Sequence, residues 1–339
     1  MPARCETGAE NALLYYEAAQ TPRGWNLLAD SGDHLNYSAP HKPWSRAGAA
    51  DYKLAPVGLI TGGAVTGTGS NDQVAVAALT ASMPHVTGAA ADGSIAVAAN
   101  GALALGTRPT GSNKMVSAIT IDSTGAIVVV AGTEGASVST TRGAAGGPPL
   151  IPVASIEIAQ VTRSGSTAAP VVTATDVSQI PGASQERWDY PVPATIDTAT
   201  GTVTFTPALD LIHTGSVSKR VYASYSTPVF APIAKSSDFV PPANSYSTTS
   251  TQIYGGTIGS SSVTLNGGSY TVYLQDGIND PLLAKEGQNL WHKFFPDRNK
   301  TGYVLAQGVL GITTSFPASG AISAACTITP EGKATRYAA

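Results

Sequence analysis

The chain has 339 residues, of which 12% are charged and 42% hydrophobic, with 36 glycines and a formal net charge of −3. That length suggests about two domains. The apolar content suffices for a core and excludes a disordered chain, and the charge excludes a basic field for gripping nucleic acid. Most apolar residues are Ala and Val in short runs separated by Gly, Thr and Ser, which is an all-β pattern. Cys5 and Cys326 are read as free thiols of a reducing compartment. The opening MPARCETGAEN lacks the apolar core of a signal peptide. No apolar run approaches membrane-spanning length, so no membrane insertion is expected.

Residues 11–19, NALLYYEAA, fit helix or strand. Residues 29–46 are rich in turn formers and carry Leu35, Tyr37 and Trp44. Composition changes near Asp51, and from 57 to 147 charges become rare. Strands are expected at 73–81, 94–99, 102–105, 117–121 and 126–131, with hairpin turns at Asp92-Gly93 and Thr124-Gly125. The stretch 133–149, TEGASVSTTRGAAGGPP, reads as a flexible linker or long loop. Another strand is expected at 150–162. Residues 185–190, QERWDY, return to charged, aromatic sequence. A hairpin follows at 195–205 with Val203 and Phe205 on one face, then a turn at His213-Thr214-Gly215 and a strand at 221–225. Residues 228–254 are rich in Pro, Ser and Thr and read as an extended arm or loop.

The last third is the most informative. A strand is expected at 270–274. Asp280 and Pro281 mark a helix start, an Asx N-cap with proline at the first helical position, and Gly287 weakens that helix. Residues 290–295 alternate as a strand facing two environments, and 296–302 form a charged turn. Long strands are expected at 303–315 and 321–329, with Gly308 and Gly311 at bulges or bends. Alternation puts Gln307, Thr313 and Ser315 on one face and Leu310, Ile312 and Phe316 on the other. Leu305 and Val309 share the parity of Gln307 and fit a polar face only if a bulge resets the register.

Within this block the run D-x-L-L-x-x-E-x-x-x-L-W-x-K-F-x-P-D-R-N-K-T begins at Asp280, followed by G-x-L-G-I and F-P-A-S-G-A-I-S-A-A-C-T-I-T. Together they resemble the C-terminal part of major tail (tail tube) proteins of long flexible-tailed bacteriophages. The resemblance implies a mainly β fold, a tail-tube-type β-sandwich or barrel with one short helix, here with an additional all-β module. The tube domain is expected at 1–52 and 185–339, discontinuous, with a β-rich accessory domain inserted at 53–184. It implies an extended start at 11–19, and arms reaching a neighbouring subunit or ring that carry Leu35, Tyr37, Trp44, Phe239, Tyr246 and Tyr254. Ring-closing strands would carry Tyr303, Leu305, Gln307, Val309, Thr313, Ser315, Ile322 and Thr327. The expected function is a non-enzymatic tube subunit that self-assembles into stacked rings of six tube domains. Either a hexamer or a trimer with two tube domains per chain would supply them. DNA would pass non-specifically through the lumen at ejection. Implied partners are further copies and the tail terminator, tape measure and distal tail proteins. The implied location is the virion tail, after synthesis and assembly in the host cytoplasm.

The residues themselves assemble no active site, so no cofactor, metal or catalytic group is expected. His34 and His41, beside Asp33 and Lys42, lack the spacing and third ligand of a metal site. The run 276–280 lacks the ligand register and terminal glutamate of an EF-hand. Gly67 and Gly69 are not followed by the lysine of a phosphate loop. A virion decoration or fibre-type adhesin, with the β insertion binding a receptor or glycan, is the alternative. A secreted β-sandwich hydrolase or carbohydrate-binding module is a weaker one, lacking recognisable paired carboxylates.

Overall fold

A computed structural model describes residues 11–44, 52–165, 171–180, 194–197, 200–209, 211–212, 217–218 and 220–338. The turn expected at 213–215, the stretch 185–190 and Cys5 lie outside them. The fold is mainly β, and its helical pieces among the described residues are single 3-10 turns. The chain forms two compact units: unit 1 holds residues 1–22, 44–50 and 226–339, and unit 2 holds residues 23–43 and 51–225.

Unit 1 is built on one antiparallel sheet. Its strands are β1 (Leu13–Leu27), β2 (Val221–Ile233), β3 (Ser236–Val240), β4 (Ala243–Ile253), β5 (Gly256–Asn266), β6 (Gly268–Tyr273), β7 (Asn289–Phe295), β8 (Tyr303–Ser315), β9 (Ser323–Pro330) and β10 (Thr335–Tyr337). β1 and β2 begin in one unit and end in the other. The sheet order is β3-β6-β9-β8-β7-β1-β2, with β10 against the start of β8; β4 and β5 form a separate two-stranded hairpin. The segment 11–19 is therefore strand. Tyr and Leu at alternate positions suit a half-buried strand, and Leu14 and Tyr16 enter the core.

The core of unit 1 comes from one parity of each strand: Tyr270 and Val272, Leu290 and His292, Leu310, and Ala324, Cys326 and Ile328. The register of β8 runs without a shift against β7 from Val304 to Val309 and against β9 from Gly308 to Ser315. No bulge resets it at Gly308 or Gly311, contrary to expectation. Gly308 is glycine for close approach: a Cβ there would collide with the Thr329 carbonyl oxygen and Ile328 Cγ2. Leu305 is buried because its face is covered locally by Trp44, Trp291, Tyr303 and Tyr337.

The helix expected at Asp280 and Pro281 is replaced by two 3-10 turns, Gly277–Asn279 and Leu283–Lys285. Asp280 is not the N-cap: that position of the second turn is Leu282, which makes no side-chain cap, and Asp280 Oδ1 accepts only the Leu282 N–H two residues on, at 3.0 Å. Gly287 reverses the backbone at φ +74, and the few residues before it cannot repay the cost of helix nucleation.

Unit 2 contains several small antiparallel sheets. Lys114–Ile121 is flanked by Ile127–Val130 and Ile156–Ser164. Gly58–Gly62, Leu79–Ser82 and Ser94–Val97 form a second sheet, and Asn100–Ala104, Gln73–Val76 and Val65–Gly67 a third. A fourth joins Ala194–Asp197, Thr202–Phe205, Asn36–Ser38 and Ala29–Asp30. The start of β2 pairs with Lys53–Pro56. Unit 2 thus comprises residues 23–43 and 51–225, a division that differs from the expected bounds of 53–184. The linker expected at 133–149 is a packed loop. Gly135 exchanges two backbone hydrogen bonds with Lys114, and Arg142 pairs with the fully buried Glu157 at 2.7 Å. A Cβ at Gly146 would meet the Ser137 carbonyl oxygen, so the loop closes on glycine.

Candidate assembly surface

Strand alternation leaves the second face of the unit 1 sheet open across β6, β9 and the far half of β8. The aligned rows are Thr271-Ala325-Thr313, Ser269-Thr327-Gly311 and Tyr273-Ser323-Ser315. Thr313, Ser315, Ala325, Thr327 and Thr329 are exposed, Val309 is exposed, and Gln307 is half-buried. The face carries mostly small and hydroxyl side chains, with Val309 and Tyr273 exposed among them, and no charge. Gln307, Thr313 and Ser315 share it and Leu310 and Ile312 oppose it, as alternation required; Phe316 lies past the strand end.

The other expected ring-closing residues fall differently. Tyr303 and Leu305 belong to the aromatic cluster around Trp44. Ile322 precedes β9 and packs on the core. Neither β8 nor β9 is a sheet edge: β8 lies between β7 and β9, and β9 between β6 and β8.

The expected arm residues divide in two. Tyr37 is buried edge-on to Phe205, at 5.4 Å between centroids, inside unit 2. Trp44 is buried among Phe230, Trp291, Tyr303 and Tyr337 inside unit 1. Both are core residues and cannot reach a neighbour. Leu35 is half-buried beside Asn36–Ser38, and Phe239 stacks on Phe294 at 4.7 Å. Tyr246 and Tyr254 stay on the surface, Tyr246 at 71% and Tyr254 fully exposed.

Those two tyrosines sit on the β4–β5 hairpin, where a loop-like arm was expected. The hairpin pairs in register from Ala243↔Asn266 to Ile253↔Gly256 around a two-residue turn at Tyr254-Gly255, with Gly255 at φ +90. Every residue of both strands is exposed except Asn244. One face is a ladder of hydroxyls, with Ser247 and Ser262 oxygens 2.6 Å apart and Thr249 and Ser260 oxygens 3.0 Å apart. Ile258 extends that face toward the tip, while Tyr246, Val263 and Leu265 give the opposite face an apolar base. Of these, sequence reasoning named Tyr246 and missed Ile258, Val263 and Leu265. The signal was present: no charged residue lies between Asp238 and Asp276. Edge strands usually carry charges that block foreign pairing.

The groups with chemical potential are spent on structure. The Tyr270 hydroxyl lies 3.2 Å from His292 Nε2 in the core. Burial holds His292 down to about 4 and pushes the Cys326 thiol up to about 11. His34 Nδ1 is 2.7 Å from the Asp30 carboxylate, and His41 Nδ1 is 3.5 Å from the Tyr225 hydroxyl, so each histidine has its own local partner. Asp33 is held far below the usual carboxylate range by the Ser31 hydroxyl and the Asn36 and Leu35 N–H groups. Among the described residues no cluster of three or more His, Cys, Asp or Glu could hold a metal.

No protein-family model matches this chain, and no curated protein does.

Proposed function

We propose that this chain is a self-assembling structural subunit of a hollow tube, of the tail-tube kind that its C-terminal third resembles. It acts without catalysis. The open face of β6, β9 and β8 faces the lumen, and the β4–β5 hairpin joins neighbouring copies. The observation that carries this reading is the uncharged, hydroxyl-rich open face, together with a hairpin whose two strands are exposed at every residue but Asn244. A two-stranded ribbon is marginal in water by itself, and its unpaired edges accept another copy's strand. Repeated head-to-tail, such a contact closes a ring when its rotation divides the circle. A wall without cations suits passage of DNA, because each phosphate contact would retard it.

Accessibility of the open face tests this. Thr313→Cys and Ala325→Cys place thiols on that face, whereas Tyr254→Cys places one at the hairpin tip. In free subunits all three should react with a bulky polymer-linked maleimide. In assembled protein, the two thiols on the open face should resist the polymer reagent. Equal reaction in both states would remove the open face from the lumen.

A further inference from the structure

We propose that the loop at residues 276–280 of one copy seats in a basic groove at the root of the hairpin of a second copy. The proposal deepens the assembly reading and rests on it. The groove encloses about 330 Å³ and is lined by Pro241, Pro242, Tyr246, Val304, Lys333 and Arg336, among others. Its floor is apolar, and the two exposed cations stand on its wall. Among the described residues neither Lys333 nor Arg336 has an ion-pair partner in its own chain. The Ala334 N–H donates to the Pro242 carbonyl at 2.9 Å and holds the two walls together.

The loop has the complementary order, acid-apolar-acid. Asp276 is exposed, Ile278 is 74% exposed, and Asp280 is half-exposed. It is a short turn with Ile278 at its most exposed point. The 3-10 turn Gly277–Asn279 is closed by the Asn279 N–H on the Asp276 carbonyl at 3.1 Å. Asp280 is anchored through Oδ1 to the Leu282 N–H, which leaves its second oxygen available. In the contact Ile278 covers the proline and Val304 floor, while Asp276 and Asp280 meet Lys333 and Arg336. The apolar knob supplies burial, and the charges at the rim supply orientation and association rate.

One copy cannot make this contact with itself. The groove lies beside the start of β6, where Pro242 abuts Gly268, and the loop follows the end of β6 after Tyr273. The length of the strand, about 17 Å at the usual rise, separates them. The contact is therefore heterologous, joining the groove end of one copy to the loop end of the next.

Charge reversal in the full chain tests it. Arg336→Glu and Asp276→Lys are both at exposed positions, and their unfolding midpoints should match the parent's. Each variant alone should need at least about ten-fold more protein to assemble, as like charges meet across the contact. An equimolar mixture should assemble at the parent's concentration, because alternating copies then pair the reversed groove with the reversed loop. Assembly of either variant alone at the parent's concentration would overturn the proposal and leave the assembly reading standing. So would a mixture no better than its parts. A parent that forms no assembly would overturn both. As a check independent of charge, Ile278→Cys combined with Lys333→Cys should give disulfide-linked multimers when assembled protein is oxidised; purely monomeric product would also overturn the contact.

Discussion

Thr313 lies directly opposite Ala325 in the register of β8 and β9, and both side chains are exposed on the open face. The position is thus interior to the sheet in its backbone and external in its side chain. Thr313→Pro would remove a peptide N–H and strain a central strand, and a carbonyl left unsatisfied costs about 1–3 kcal/mol. The mutant should lose stability as a free subunit, seen as a lower denaturant midpoint. An unchanged midpoint would mean that the pairing is dispensable.

A charge at the same place should act differently. Thr313→Lys alters an exposed side chain, so stability should change by less than about 0.5 kcal/mol, and Gln307→Lys, at a half-buried position, by about 1 kcal/mol. Assembled tubes should then retain short duplex DNA at low salt and release it as salt rises. Parent-like behaviour of both lysine variants towards DNA would argue against this face lining the channel.

Trp44 and Tyr254 make a contrasting pair. Trp44→Ala removes the ring that four others surround and should cost about 3–5 kcal/mol. Tyr254→Ala should leave the denaturation curve unchanged, because the ring is fully exposed, while raising the concentration needed for assembly. A reversal of those two outcomes would exchange the roles given to core and hairpin.

His292 makes the stability of unit 1 depend on pH. Its folded pKa, about 4, lies below the ordinary value of about 6.5 because burial disfavours the charged ring. The unfolded chain therefore binds the proton more readily than the folded one. The full contribution is present above pH 6.5 and is lost as pH falls toward 4, by on the order of 3 kcal/mol. His85 in unit 2 is shifted the same way by burial, so the informative quantity is the difference between parent and His292→Gln. That variant should show a shallower loss of unfolding free energy between pH 6.5 and 4. Identical slopes would contradict a buried neutral imidazole.

The strand at residues 303–315 was legible end to end. A run rich in aliphatic and β-branched residues, interrupted by Gln307, Gly308 and Gly311, sits between a charged turn and Phe316-Pro317. The composition break near Asp51 falls where one segment of unit 2 begins, although residues 23–43 belong to that unit as well. What failed was non-local. Thr202–Phe205 pairs with Asn36–Ser38 across about half of the chain, which no local pattern announces. It also makes 57–147 unsuited to excision: cutting there removes Lys114–Ile121 from its partner Ile156–Ser164 and strands the buried Ile156, Ile158 and Val161. Tyr37 and Trp44 looked like loop aromatics because the rings that enclose them are remote in sequence. The hairpin looked like a loop because Ser and Thr dominate it. Its two-residue turn and charge-free strands become meaningful only once the strands are paired.

The central claim is that copies of this chain build a tube through the hairpin. Electron microscopy of negatively stained, purified parent protein, beside a variant with residues 243–266 replaced by a short Gly/Ser turn, tests it most directly. The parent should form rings or stacked tubes with a central channel, while the variant, with an unchanged unfolding transition, should remain a dispersed monomer. Monomers or oligomers without a central channel from the parent, or normal tubes from the hairpin-less variant, would contradict the account.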